Sequence, residues 1–86
     1  MIEVSEGIRR AQEFLDSSSI AEVPLVADEL TASLRGEILF VPCNSDEYLR
    51  TENPEVMVIG CTPVRVDLRT GECRFLTLDE LVELDL

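Results

Sequence analysis

With 86 residues, 45% of them hydrophobic and 29% charged, the chain has room for one folded domain with one core, and its composition is not that of a disordered segment. Eighteen acidic residues against seven basic ones, all arginine, give a net charge of −11. That field repels nucleic acid and anionic membrane and favours cationic partners, besides keeping a small protein in solution.

Val4, Ile8, Ala11 and Leu15 recur at helical spacing, with Phe14 widening the stripe, and predict a helix over residues 4–16. Ser5 reads as its N-cap and Glu6 sits in the first turn, where the helix dipole favours negative charge. Glu6 and Arg10 stand four apart in the favourable order, and the polar run from Asp16 to Ser19 ends the helix. Residues 23–34 read as a strand, or two pieces of one, broken near Asp28 and Glu29. Residues 37–43 are apolar on both faces through Ile38, Leu39, Phe40 and Val41, which predicts an interior strand. Arg35 and Gly36 supply a tight turn that makes the two an antiparallel hairpin.

Residues 44–54 are polar and read as a long loop, with Tyr48 and Leu49 making a single helical turn. The apolar run Val56, Met57, Val58 and Ile59 predicts a further strand over 56–61, closed off by Pro63. From Val64 to Asp67 the pattern alternates, Val64 and Val66 to one face and Arg65 and Asp67 to the other. The run from Asp67 to Gly71 predicts a four-residue hairpin loop, with Gly71 left-handed and the Asp67 carboxylate accepting from loop amides. Residues 72–76 are its return strand, with Cys73 and Phe75 on one face. Residues 77–86 read as a short helix capped by Thr77 or Asp79, with Leu78, Leu81 and Val82 as its apolar edge. The expected architecture is one α+β domain over 1–86. An N-terminal helix packs on a small, mainly antiparallel sheet of four to five strands, and a short C-terminal helix follows.

Catalytic and metal chemistry lack their parts. Histidine and lysine are absent, so a serine or cysteine nucleophile has no neighbouring base of the usual kind. Cys43, after Pro42 at a strand end, is the most interesting thiol, and it reads as a small buried apolar residue. Cys43, Cys61 and Cys73 are widely spaced with no CxxC pair, and no segment has the oxygen-ligand spacing of a calcium loop, so no metal or cofactor is expected. An odd cysteine count, no apolar run within Met1 to Arg10, and no stretch near the roughly 20 apolar residues of a membrane span lead us to expect a reduced, cytoplasmic protein.

What remains is surface. One acidic cluster comprises Asp46, Glu47, Glu52 and Glu55 around Tyr48; a second comprises Asp79, Glu80 and Glu83 with Asp85. Each is either a partner-binding face or simply a solvated one. Tyr48 adds an amphipathic aromatic of the kind interfaces favour, within a connection longer than a compact domain usually keeps, although it also reads as a plug that staples the loop down. Apolar strands with an uncovered edge would also permit a homodimer by strand pairing.

The series Phe40, Val41, Pro42, Cys43, Asn44, Ser45, then Tyr48 and Leu49, Thr51, Gly60, Cys61, Thr62 and Pro63 leads into Val66, Asp67, Thr70, Gly71 and Glu72. This ordered series, with the leading helix and its Phe14 and Leu15, resembles the immunity protein 35 (YrhB-like) family of bacterial toxin–immunity systems. The resemblance covers residues 5–76, most strongly 38–76; the acidic segment from Leu76 to Leu86 departs from the family pattern. It implies a cytoplasmic protein without catalysis that binds and neutralises a cognate toxin, or, within the same family, a chaperone-like or adaptor role. It supplies no set of functional residues. Physically, most of the matched residues shape turns: Asp67 and Gly71 a hairpin, Gly60 and Pro63 the entry to a strand, Asn44 and Ser45 a loop capped by side-chain hydrogen bonds.

Overall fold

Apolar residues one helical turn apart build the first element of the computed structural model, which describes residues 1–18, 24–58 and 61–85. Helix α1 spans Val4–Asp16 and buries Gly7, Ala11 and Leu15. Its N-cap is Glu3, not Ser5: Glu3 is extended, and its carbonyl already accepts from Gly7 N at 2.9 Å. The start is set by docking, since Ile2 N donates to Leu68 O at 2.8 Å and fixes the chain just before the helix. On the outer face Arg9 bonds both Glu6 and Glu13, and Arg10 reaches Glu6 at 3.3 Å.

Strand β1 (Leu25–Ala27) pairs antiparallel with β4 (Cys43–Ser45) in a two-stranded sheet. Strands β2 (Ser33–Arg35), β3 (Ile38–Val41), β5 (Val64–Asp67) and β6 (Cys73–Phe75) form a second antiparallel sheet in the order β2-β3-β5-β6. The fold is α+β, with two sheets in place of one. Two expectations change as a result. Within residues 23–34, β1 and β2 belong to different sheets, because the Asp28 carboxylate accepts from Leu30 N and Thr31 Oγ and turns the chain between them; Val23 lies outside the described residues. The strand expected over 37–43 is broken at Pro42, which has no N–H to continue a ladder, and the chain there passes from β3 into β4.

Two further segments differ from the sequence reading. The loop expected over 44–54 holds the rest of β4 and a helix, α2 (Asp46–Thr51), N-capped by Ser45 Oγ accepting from Tyr48 N at 3.1 Å. The strand expected over 56–61 is absent among its described residues: Pro54–Val56 is a 3₁₀ turn capped by Asn53. Side chains of β4 take up the backbone groups of this segment, Ser45 Oγ donating to Val56 O at 2.9 Å and Asn44 Oδ1 accepting from Val58 N at 2.8 Å. Ile59 and Gly60 lie outside the described residues.

The registers sort the large sheet into two faces. Leu39 stands opposite Val66, and Val41 opposite Val64; all four are fully buried beneath α1. Phe14 packs on Phe75 at the edge of this layer, ring centres 5.0 Å apart. On the opposite face Ser33, Phe40, Arg65 and Arg74 form one row. Phe40 is buried there beneath the Arg35 guanidinium, 5.9 Å from the ring centre, so β3 is covered on both faces as its sequence requires.

Both hairpins follow their turn residues. Gly36 (φ +62) joins β2 to β3, and Gly71 (φ +80) closes the loop between β5 and β6. In that loop the Asp67 carboxylate accepts from Arg69 N at 2.9 Å, as its position at the turn entrance predicts. Helix α3 (Leu78–Leu84) ends the fold. Thr77 caps it in a reciprocal box: Thr77 Oγ accepts from Glu80 N at 3.2 Å, and the Glu80 carboxylate accepts from Thr77 N at 3.1 Å.

Candidate functional site

The first acidic cluster sits on α2 and the turn after it. Asp46 and Glu47 are exposed in the first turn of α2, where the dipole favours them, and Asp46 pairs with Arg50 at 3.1 Å. Tyr48 is half-buried, and Glu52 caps the helix in the left-handed conformation (φ 56). Glu55 is exposed in the 3₁₀ turn. The platform beneath is tied together by side-chain hydrogen bonds. Asn44 is buried; its Oδ1 accepts from Ser45 N and Val58 N, both at 2.8 Å, and its Nδ2 donates to Val58 O at 3.3 Å. One side chain therefore does for the 56–58 segment what a neighbouring strand would do, and together with Ser45 it fixes where α2 and its acids project.

The second cluster belongs to the other sheet. Arg74 of β6 makes two parallel bonds to the Glu80 carboxylate, at 2.8 and 2.9 Å, and Arg35 Nη1 of β2 donates to Leu84 O at 2.8 Å. Arg35 and Arg74 project from the same face as Phe40, so α3 is strapped to the face opposite α1, tethered near both its ends to the two edge strands. The Arg74 guanidinium, then the Thr77 backbone, hold the Glu80 carboxyl down to about 2. Glu80 is thus part of the strap. Asp79, Glu83 and Asp85 are exposed.

The strap decides which side of α3 meets solvent. Leu81 and Leu84 are half-buried, whereas Leu78 is 75% exposed and Val82, one turn on, 83% exposed. Of the apolar edge expected of this helix, Leu81 turns inward, where Leu84 joins it, while Leu78 and Val82 turn outward, and on the helical wheel Asp79 and Glu83 run alongside the outward pair. Sequence reasoning names the acids but misses Leu78 and Val82 as surface residues, because periodicity cannot say which part of a wide stripe is covered. α2 packs on β4 and the 3₁₀ turn while α3 is tied to β2 and β6, so the two acidic clusters stand on separate platforms.

Cys43 is buried, and burial, reinforced by the neighbouring Cys61, pushes its thiol up to about 12. Among the described residues no group of three or more histidine, cysteine or acidic side chains is placed to hold a metal ion, and no helix is long and apolar enough to cross a membrane. No family model, curated protein or solved structure matches the chain.

Proposed function

We propose that this chain is a protein-binding inhibitor that covers the working surface of one cationic partner, and that the partner is a bacterial toxin, as the resemblance to the immunity protein 35 family implies. The observation that carries the reading is α3: an apolar pair, Leu78 and Val82, held outward beside Asp79 and Glu83 on a helix fastened by two arginines. An apolar anchor with acidic flanks, fixed in place before binding, suits a basic protein surface better than a neutral one, and preorganisation lowers the ordering entropy of docking. The net charge of −11 speeds encounter with such a partner and disfavours a second copy of the same chain. Three free cysteines agree with a cytoplasmic site of action, and occlusion requires no catalytic residue.

The test is co-expression with the product of the adjacent reading frame, followed by binding of the two purified proteins. The reading requires restored growth and a tight complex whose association rate falls steeply with added salt. Weak binding to many unfolded clients, with no single tight partner, would instead favour the adaptor or chaperone reading.

A further inference from the structure

Cys43 and Cys61 lie on segments distant in sequence and adjacent in the fold. The single Cys61 S–H lies between two acceptors, the carbonyl oxygen of Cys43 at 3.4 Å and Val58 O at 3.6 Å, while Cys43 Sγ donates to Thr62 O at 3.6 Å. Each thiol is therefore bonded to the stretch of backbone that carries the other. The Asn44 amide donates to Cys61 Sγ at 3.8 Å. Cys61 is also the more exposed of the two. Cys73 stands apart on β6, its sulfur turned to Gly71 O at 3.7 Å. Burial, and after it the neighbouring Cys61, pushes the Cys43 thiol up.

We propose that Cys43 and Cys61 form a reversible intramolecular disulfide on exposure to an oxidant of the peroxide class, with Cys73 left as a free thiol. The Cys61 thiolate attacks one peroxide oxygen; the O–O bond breaks, the leaving hydroxide takes a proton to become water, and Cys61 becomes a sulfenic acid. The Cys43 sulfur then attacks the Cys61 sulfur. The S–O bond breaks, the Cys43 proton leaves with the departing hydroxide as a second water, and the S–S bond forms. In sum, two thiols are oxidised and one hydrogen peroxide is reduced to two waters. The crosslink ties β4 to the segment that Asn44 now holds by hydrogen bonds alone, and it stiffens the platform of α2.

The test treats the reduced, full-length protein with equimolar hydrogen peroxide, alkylates the remaining thiols and maps tryptic peptides without reduction. Cleavage at arginine separates Cys43 (peptide 36–50), Cys61 (51–65) and Cys73 (70–74). The proposal requires peptides 36–50 and 51–65 joined with the loss of two hydrogens, alkylation confined to Cys73, and recovery of three alkylatable thiols after dithiothreitol. Cys73→Ser should behave like the parent protein. Crosslinks through Cys73, accumulation of sulfinic acid on Cys61, or three thiols still alkylatable after treatment would each overturn it.

Discussion

The side-chain amide of Gln12 closes the free edge of β1 as a neighbouring strand would, its Oε1 accepting from Ala27 N at 2.8 Å and its Nε2 donating to Leu25 O at 3.0 Å. A sheet of two short strands has two open edges, each a template for pairing with another chain. Here one edge is sealed by a helix, and the same pair of bonds fixes α1 to the small sheet while its apolar stripe packs on the large one.

Gln12→Ala leaves that donor and that acceptor of β1 without their partner in a half-buried setting. The expected loss is about 1–3 kcal/mol, seen as a lower urea midpoint at unchanged m-value. A variant within about 0.3 kcal/mol of the parent would mean that water replaces the amide without penalty.

Gly36 and Gly71 share a left-handed backbone but not a neighbourhood. A Cβ at Gly36 meets open space, whereas one at Gly71 runs into the Arg10 guanidinium. Both alanine variants carry the strain of a positive φ, about 1 kcal/mol each. Gly71→Ala must also displace Arg10, so it should be the less stable of the two in thermal unfolding. Equal losses would show that Arg10 moves aside freely.

Helix α1 and the β5–β6 hairpin are legible in the sequence because each is decided locally, by a 3.6-residue period in one case and by Asp67 and Gly71 in the other. The middle of the chain is not, because its outcome depends on pairing at a distance. The apolar run at 56–58 has strand composition, yet Asn44 and Ser45 take up its backbone groups where a ladder would otherwise stand. Gln12 falls outside the apolar stripe of Val4, Ile8, Ala11 and Leu15, and only the placement of β1 gives it a task. The acidic residues of α3 are visible as a cluster, but that Glu80 belongs to a strap depends on Arg74, which the hairpin brings to it.

Acid should weaken the fold. The carboxyls of Glu6, Asp67 and Glu80 all titrate below their ordinary values, chiefly through side-chain hydrogen bonds to Arg9, Arg69 and Arg74 respectively. A group whose pKa is lower when folded stabilises the fold above its unfolded pKa, and that contribution disappears as pH falls through the folded value. For Glu80 the window runs from its ordinary 4.5 down to about 2. Arg74→Gln should narrow that window and flatten the fall in urea midpoint between pH 5 and pH 2. A parallel curve for the variant would remove Arg74 as the cause.

Alkali should weaken it through a different group. The Cys43 thiol is raised when folded, from an ordinary 9.0 to about 12, so its protonated form belongs to the native state. The stability linked to it is complete below pH 9 and is lost as pH rises toward 12. Thiolate absorbance in the ultraviolet, followed with unfolding, should show the deprotonation of Cys43 only as the fold opens. In a Cys43→Ala variant that late absorbance change should shrink to what Cys73, also raised by burial, contributes.

The two halves of the α3 stripe should separate stability from binding. Leu78 and Val82 are exposed, so Leu78→Ser with Val82→Ser removes little buried surface and should leave the unfolding midpoint within about 0.5 kcal/mol of the parent. Leu81→Ser strikes the inward half and should destabilise by about 1–2 kcal/mol through lost apolar burial. If α3 is the docking element, the outward pair should weaken the partner complex at least tenfold, mainly through faster dissociation, because an apolar anchor acts after encounter. Asp79→Asn with Glu83→Gln should instead slow association and reduce its dependence on salt, since exposed charges act before contact. Outward variants that bind like the parent would direct the search to Glu47 and Tyr48 on α2, which stand on the other platform and leave α3 untouched.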